Sequence, residues 1–278
     1  MTGAVCTRLP DGRMHLHHGP IDVIAQAWGD PLAVAEGERR AQHRFGSILA
    51  ELAFELPVLR RAGGRPKGDI ARVMARATEP FVPTFVTPMA AVAGAVAEAI
   101  LEKLAVPGVT RAYVNNGGDI ALHLMPGESL SCAIAARQGM PDRITVRASD
   151  MVRGIATSGW RGRSWSLGIA DSVTVLAKTA AQADAAATLI ANAVDLPGHP
   201  GIKRRAATEM QADSDLGARQ VTVAVSGLSA DDVARALLAG EAKAMCFRSR
   251  GLIEAAALFL HPEVRTLGPL ALKEPALD

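Results

Sequence analysis

The segment Pro88 to Lys103 constrains the fold of this chain more than any other stretch. Pro88 suits the first turn of a helix, and the residues that follow are mostly Ala, Val, Ile and Leu, with Glu98 as an interruption. A helix that is apolar on every side must be covered by other elements. The segment therefore predicts a buried central helix, and it is too short for the ~20 apolar residues that span a bilayer.

Other segments predict further helices and several short strands. Helical spacing of apolar residues marks Pro31 to Phe54, and an Ala-rich run marks Thr179 to Val194. Ser229, followed by acidic residues, is a predicted helix cap. Strand patterns occur at Met14 to Trp28 (a hairpin), Ala112 to Val114, Ile120 to Leu124, Leu130 to Ala135, Ile144 to Val146, Val173 to Ala177, Val221 to Val225 and Ala255 to Leu260.

These elements predict an α+β fold. The runs from Ala112 to Ala135, separated by Gly-rich or Pro-Gly turns, suggest an antiparallel meander. We expect a single domain over residues 1–278, in which Asp195 to Gly217 is a loop or insertion, because Gly and Pro residues and a basic run interrupt it.

Composition and charge exclude several classes of protein. Aromatic residues make up only 4% of a chain that is 49% hydrophobic, so the core must be packed with small aliphatic side chains. The net charge of +2 gives no field that would attract nucleic acid. Cys6, Cys132 and Cys246 form no C-x-x-C pair, and the first residues lack a signal sequence, so we expect a cytoplasmic protein that does not enter a membrane. A homo-oligomer is compatible with the sequence.

The first candidate site is the run Asn115-Asn116-Gly117-Gly118-Asp119, between two predicted strands. Consecutive glycines allow positive φ angles and close approach of the backbone to a ligand. The same residues are typical of an ordinary hairpin turn.

The second candidate is the pair Asp184 and Thr188, which lie four residues apart on a predicted helix. This spacing places a carboxylate and a hydroxyl on one face, where both could bind Mg²⁺ or Ca²⁺. The alternative is that Asp184 only interacts with the helix dipole and Thr188 bonds to a carbonyl one turn earlier.

The third candidate is Ala156-Thr157-Ser158-Gly159, followed by Trp160 and two arginines. Trp160 could stack on a planar ring, and Arg161 or Arg163 could pair with a pyrophosphate. The alternative is a polar turn with a half-buried Trp.

Taken in order, these motifs resemble the ApbE family of flavin transferases. The matching segments are Ala93-Gly94-Ala95, Asn116-Gly117-Gly118-Asp119, Thr157-Ser158-Gly159, Ser172-Val173-Thr174-Val175 and Ala183-Asp184 through Thr188. The resemblance implies an ApbE-like, T-fold-related architecture of antiparallel sheets packed with helices.

The resemblance also implies a function and a set of binding residues. It implies that FAD binds beside Mg²⁺ and that FMN is transferred to a Thr of an acceptor protein, or that FAD pyrophosphate is cleaved. Asn116, Gly117, Gly118, Asp119, Thr157, Ser158 and Gly159 are then cofactor-binding residues, and Asp184 and Thr188 bind the metal.

Two alternatives remain open. The family's His-x-I-D-P segment is missing, since only Trp160 to Asp171 separates the third motif from the next strand. This favours a non-catalytic protein that keeps the scaffold and binds another small molecule. A metabolic enzyme for a carboxylated substrate, with anion contacts from the loops around Arg65 and Arg204, is the other alternative. His15, His17 and His18 resemble a ligand cluster, but on a strand His18 points away from the other two, which disfavours a metal site there.

Overall fold

The computed structural model describes residues 3–137 and 140–269, which divide between two compact units. Within the described residues, unit 1 comprises Met1–Ser129, Arg147–Ala156 and Ala177–Ala185. Unit 2 comprises Leu130–Val146, Thr157–Leu176 and Ala186–Asp278. The single domain over 1–278 stays a prediction.

Unit 1 contains an antiparallel sheet whose strand order is β1-β2-β3-β4-β5-β8. The strands are β1 (Val5–Arg8), β2 (Met14–His18), β3 (Ile21–Gly29), β4 (Val109–Asn116), β5 (Asp119–Leu124) and β8 (Gly154–Ser158). Along the buried face of this sheet, Leu16, Val23 and Val114 are fully buried. The predicted hairpin Met14 to Trp28 is confirmed by β2 and β3.

Unit 1 contains three helices, of which the first and third pack on the sheet and the second packs on the other two. They are α1 (Pro31–Leu59), α2 (Asp69–Thr78) and α3 (Val92–Leu104), with short 3₁₀ turns at Glu79–Phe81 and Pro88–Ala91. The side chain of Asp30 caps α1 by accepting hydrogen bonds from the backbone N–H groups of Leu32 and Ala33, each at 3.0 Å. In α3, Val96, Ile100 and Leu104 are buried, which confirms the central helix expected from the sequence.

Unit 2 contains strands from three sheet segments. In one, β9 (Ser172–Ala177), β12 (Ala255–Leu260) and β13 (Glu263–Leu267) pair antiparallel in that order. In the others, β10 (Ile202–Ala206) pairs antiparallel with β11 (Gln220–Val225), and β6 (Ser129–Arg137) pairs with β7 (Met140–Arg147).

The remaining helices are α4 (Ala180–Ala193), α5 (Ala207–Met210) and α6 (Ala230–Ser249). Helix α6 packs on β12 and β13, and Ser229 and Asp232 form a reciprocal capping box at its start. The predicted cap at Ser229 is therefore confirmed.

Two expectations from the sequence need comment. The predicted meander from Ala112 to Ala135 is wrong for its third strand, because β6 pairs with β7 and not with β5. The stretch from Asp195 to Gly217 contains β10 and α5, so it is not a continuous loop, and its status as an insertion stays a prediction.

The α+β fold class, with antiparallel pairing and helices packed on the strands, is confirmed. Among residues 3–137 and 140–269, no helix combines the length and apolar character needed to cross a membrane.

Candidate functional site

The Gly-Gly turn between β4 and β5 is the first part of the site in unit 1. Asn116 and Asp119 pair across the turn, and Gly117 and Gly118 have φ angles of 65° and 116°. Side chains disfavour both angles, so the glycines are required by the turn itself. The side chain of Asn115 accepts a hydrogen bond from the Gly118 N–H at 2.8 Å.

The turn presents two polar side chains to the interior of unit 1. Asn116 is 6% exposed and Asp119 is 8% exposed. The Asn116 side-chain amide donates a hydrogen bond to the Ala93 carbonyl at 3.1 Å, which ties the turn to the start of α3. A buried carboxylate such as Asp119 is costly unless a proton, a cation or hydrogen bonds compensate its charge.

Asp184 of α4 lies at the same place. Its Oδ2 accepts a hydrogen bond from the Gly94 N–H at 3.1 Å, near the start of α3. The pKa of Asp184 is raised well above its ordinary value, first because the carboxyl group is withdrawn from water and then because the negative charge of Asp119 is close. The N–H groups of Gly94 and Ala93 oppose this shift but do not cancel it.

Gly94 makes the approach of α4 to α3 feasible. A Cβ atom at this position would lie 2.3 Å from the Ala180 carbonyl oxygen and 2.6 Å from the Ala181 nitrogen. The two backbones are therefore in direct contact, and only glycine fits between them. This contact brings Asp184 to Asp119.

A second carboxylate links the same two helices. Glu98 of α3 accepts a hydrogen bond from the Ala181 N–H, in the first turn of α4, at 2.7 Å. Each helix therefore supplies a carboxylate to the amino-terminal N–H groups of the other: Asp184 to α3 and Glu98 to α4. Burial raises the pKa of Glu98, although the bonds from the start of α4 work in the opposite direction.

The arrangement at Asp119 and Asp184 is suited to a divalent cation. Two like-charged carboxylates in an enclosed place repel each other, and a cation between them removes the repulsion. Hard oxygen donors fit Mg²⁺ or Ca²⁺ in preference to softer metals. The described residues contain no cluster of three or more His, Cys, Asp or Glu side chains able to hold a metal ion. Further ligands would therefore be backbone oxygens, hydroxyls or oxygens of a bound molecule.

The structure brings together one part of the predicted site. The Gly117-Gly118 turn and Asp119 meet Asp184, although they are far apart in sequence. Thr188 lies one turn further along α4 and is half-buried. Its role as a metal ligand stays a prediction.

The third motif begins at the end of β8, and from Thr157 onward it belongs to unit 2, where it has contacts of its own. The hydroxyl groups of Thr157 and Thr174 are hydrogen-bonded at 2.9 Å. A Cβ atom on Gly159 would lie 2.4 Å from the Asp171 carbonyl oxygen, so this glycine is needed for close backbone packing. Ser158 is half-buried, and the cofactor-binding role of the motif stays a prediction.

The groups that follow the third motif are already engaged. Arg161 donates to the Asp171 carboxylate at 2.6 Å, and its guanidinium lies 4.6 Å from the centre of the Trp160 ring. In this arrangement the Arg161 guanidinium lies over a face of Trp160, and the ring stacking and pyrophosphate pairing considered from the sequence stay predictions.

Sequence reasoning missed two groups of residues. The roles of Gly94 and Glu98 were not recognised, although a glycine and a lone acid within an apolar helix were visible signals. The carboxylate partner of the histidines was also missed. Asp22 pairs with His17 across the β2–β3 hairpin, and its two oxygens lie 3.2 Å from His15 Nε2 and 3.3 Å from His17 Nδ1.

Comparison with known proteins places the chain in a family. A family model described as "AbpE bacteria" matches residues 6–266. The chain therefore belongs to this family, which confirms the resemblance to ApbE-like proteins noted in the sequence.

Relatives are also found among curated archaeal proteins. A UPF0280 protein of Methanopyrus kandleri is 38% identical over 143 residues, which are 51% of this chain and 55% of the relative. A UPF0280 protein of Methanococcoides burtonii is 39% identical over 119 residues, which are 42% of this chain and 49% of the relative. The chain thus spans about half the length of the curated relatives it matches.

A solved structure is similar at lower identity. The apo flavinyl transferase ApbE of Pseudomonas stutzeri is 14% identical, with a TM-score of 0.49 and coverage of 95% of this chain and 93% of that one.

Proposed function

We propose that this chain binds a flavin nucleotide, FAD, together with Mg²⁺ at Asp119 and Asp184. The observation that carries the proposal is the mutual placement of these two carboxylates; burial first, and then the nearby charge of Asp119, raises the pKa of Asp184. Two neighbouring carboxylates in an enclosed place repel each other and a cation would remove that repulsion, so we attribute their placement to a bound cation. Membership of the ApbE-like family supports flavin as the nucleotide.

The side chains of unit 1 have separate roles in this proposal. Asp184 and Asp119 hold the cation, and the Gly94 N–H keeps Asp184 oriented through its hydrogen bond. The Gly117-Gly118 turn allows a ligand to approach the backbone without a side chain in the way. When bound, Mg²⁺ would supply positive charge against the oxygens of a diphosphate.

The proposed reaction, in the cytoplasm, cleaves the diphosphate of FAD: a Thr hydroxyl of an acceptor protein forms a phosphoester with FMN, and AMP with the hydroxyl proton leaves. When water is the acceptor, the products are FMN and AMP. Thr188 and the Thr157-Ser158-Gly159 motif enter the proposal as predicted ligands of the cation and the nucleotide.

A titration tests the binding step. FAD fluorescence is followed while protein is added, with and without Mg²⁺. We expect binding that is stronger with Mg²⁺, and we expect Asp184→Asn to reduce the Mg²⁺-dependent part by about tenfold or more. Asp231→Asn, at an exposed position in the first turn of α6, is the matched control and should bind as the wild type does.

The outcome separates the proposal from its alternative. Release of FMN that requires Mg²⁺ supports catalysis. The missing His-x-I-D-P segment favours the alternative of a non-catalytic protein that binds another small molecule. No FAD binding at high micromolar concentration would reject flavin as the ligand and leave that alternative standing.

A further inference from the structure

A cavity lies in unit 1, on the side of α3 toward its carboxyl end. It has a volume of about 270 Å³ and opens to solvent. Leu101 of α3, Ala105 directly after that helix and Leu122 of β5 give it apolar walls. A volume of this size suits a small molecule and is too small for a dinucleotide such as FAD.

Basic side chains line the same cavity. They are His123 of β5, Arg153 before β8 and Lys178 before α4. Arg153 donates its guanidinium N–H groups to the carbonyls of Ala148, Asp150 and Val152, at 2.6 to 2.7 Å. Carbonyl groups orient the guanidinium without neutralising it, so its positive charge remains at the wall of the cavity.

The acidic side chains of the cavity are engaged elsewhere. Glu98 accepts the Ala181 N–H at the start of α4, and burial raises its pKa. Glu102 forms an ion pair with Lys103 at 2.6 Å. Lys178 is exposed, and no acidic group within the described residues forms an ion pair with it. The balance of charge therefore favours an anion.

We propose that this cavity binds a small anion that carries a short apolar chain, such as an alkyl carboxylate or alkyl phosphate. The chain lies against Leu101, Ala105 and Leu122, and the anionic group lies toward Lys178 and Arg153. This site does not depend on the proposed flavin site, because it uses neither Asp119 nor Asp184.

Saturation-transfer NMR tests the proposal with two probes, hexanoate and hexyl phosphate, and with hexylamine as the comparison of opposite charge. We expect an anionic probe to bind with a Kd on the order of 1 mM, since so few atoms can contribute. The arm that binds more tightly identifies the anionic group. Hexylamine should not bind.

Variants locate the binding. Lys178→Glu, at an exposed position, should raise the Kd of the anionic probe by about fivefold or more, since it replaces an attraction by a repulsion. Lys203→Glu, on the exposed side of β10, makes the same change in net charge elsewhere and should have no effect. Ala105→Phe should fill the cavity and abolish binding, with circular dichroism as the check that it folds.

Two results would overturn the inference. One is the absence of saturation transfer to hexanoate and to hexyl phosphate when the probe concentration is about ten times the expected Kd. The other is equal weakening by Lys178→Glu and Lys203→Glu, which would mean that the probes respond only to net charge. Neither result bears on FAD binding, so the two proposals fail independently.

Discussion

Replacement of Gly94 by Ala tests the backbone contact on which the carboxylate pair depends. The added Cβ would lie 2.3 Å from the Ala180 oxygen, whereas ordinary van der Waals contact begins at 3.4 Å. The start of α4 would therefore have to move by about 1 Å, and Asp184 would move with it. No flexible side chain is available to absorb the overlap, because the nearest atoms belong to the backbone.

Two opposing effects set the magnitude. Alanine is favoured over glycine inside a helix by about 1 kcal/mol. Overpacking of an interior contact costs about 1–3 kcal/mol and more where the backbone cannot yield. Because the overlap involves several backbone atoms, we take the upper part of that range and expect a net loss of about 1–2 kcal/mol. The expected fall in Tm is about 2–6 °C.

Gly46→Ala provides the matched control. Gly46 lies within α1, and a Cβ atom there would have nothing within 4 Å. The same substitution should then stabilise the protein by about 0.5–1 kcal/mol through helix propensity alone. Circular dichroism melts of the two variants and the wild type give the comparison. If Gly94→Ala melts at or above the wild type, the direct contact of α3 with α4 is refuted.

Three further predictions concern charges and a cap. Asp184→Asn should stabilise the ligand-free protein increasingly as pH rises above about 4. The raised pKa of Asp184 means that the folded wild type holds a proton that the unfolded chain has lost, so the wild type loses stability as pH rises. Urea unfolding at several pH values measures this, and equal pH profiles of the two proteins would contradict it. Arg204→Ala should lower the free energy of unfolding by about 1–3 kcal/mol, because it leaves the largely buried Asp195 unpaired. The control Arg205→Ala, at an exposed position, should change it by less than about 0.5 kcal/mol. Equal unfolding midpoints for the two variants would contradict this prediction. Ser229→Ala should cost about 1 kcal/mol through loss of the α6 cap, and an unchanged Tm would show that the cap contributes nothing.

The sequence predicted elements whose pattern is local. The apolar run after Pro88 was sufficient to predict helix α3, and the alternation around Ile21 was sufficient to predict strand β3. Burial imposes the helical and strand periods on the sequence directly. Strand β10 was missed because charged residues occupy it: its run Ile202–Ala206 contains three basic side chains, and only one face needs to be apolar at a two-stranded edge.

The candidate site was predictable only in part. Spacing placed Asp184 and Thr188 on one helix face, and the resemblance to a family suggested a shared site with Asp119. The local sequence pattern does not show that Asp119 of β5 and Asp184 of α4 lie close enough for their charges to interact. Arg204 illustrates the same limit. The sequence suggested that it could contact an anion from a loop, whereas in the structure it pairs with Asp195 and the Leu167 carbonyl.

The poverty of the chain in aromatic residues has a structural reason at this site. The alanines of α4 at positions 180, 181, 183, 185, 186 and 187 are fully buried, so small side chains cover the face that packs within the core. Small side chains let two helices approach until their backbones touch, and the glycine at position 94 completes that approach. Larger residues would fill the core as well, but they would hold α4 too far from α3 for Asp184 to reach the Gly94 N–H. The small-residue composition therefore both packs the core and places two carboxylates where their repulsion weakens the ligand-free protein. A bound cation would remove that repulsion, so stability and binding should be coupled at this one place.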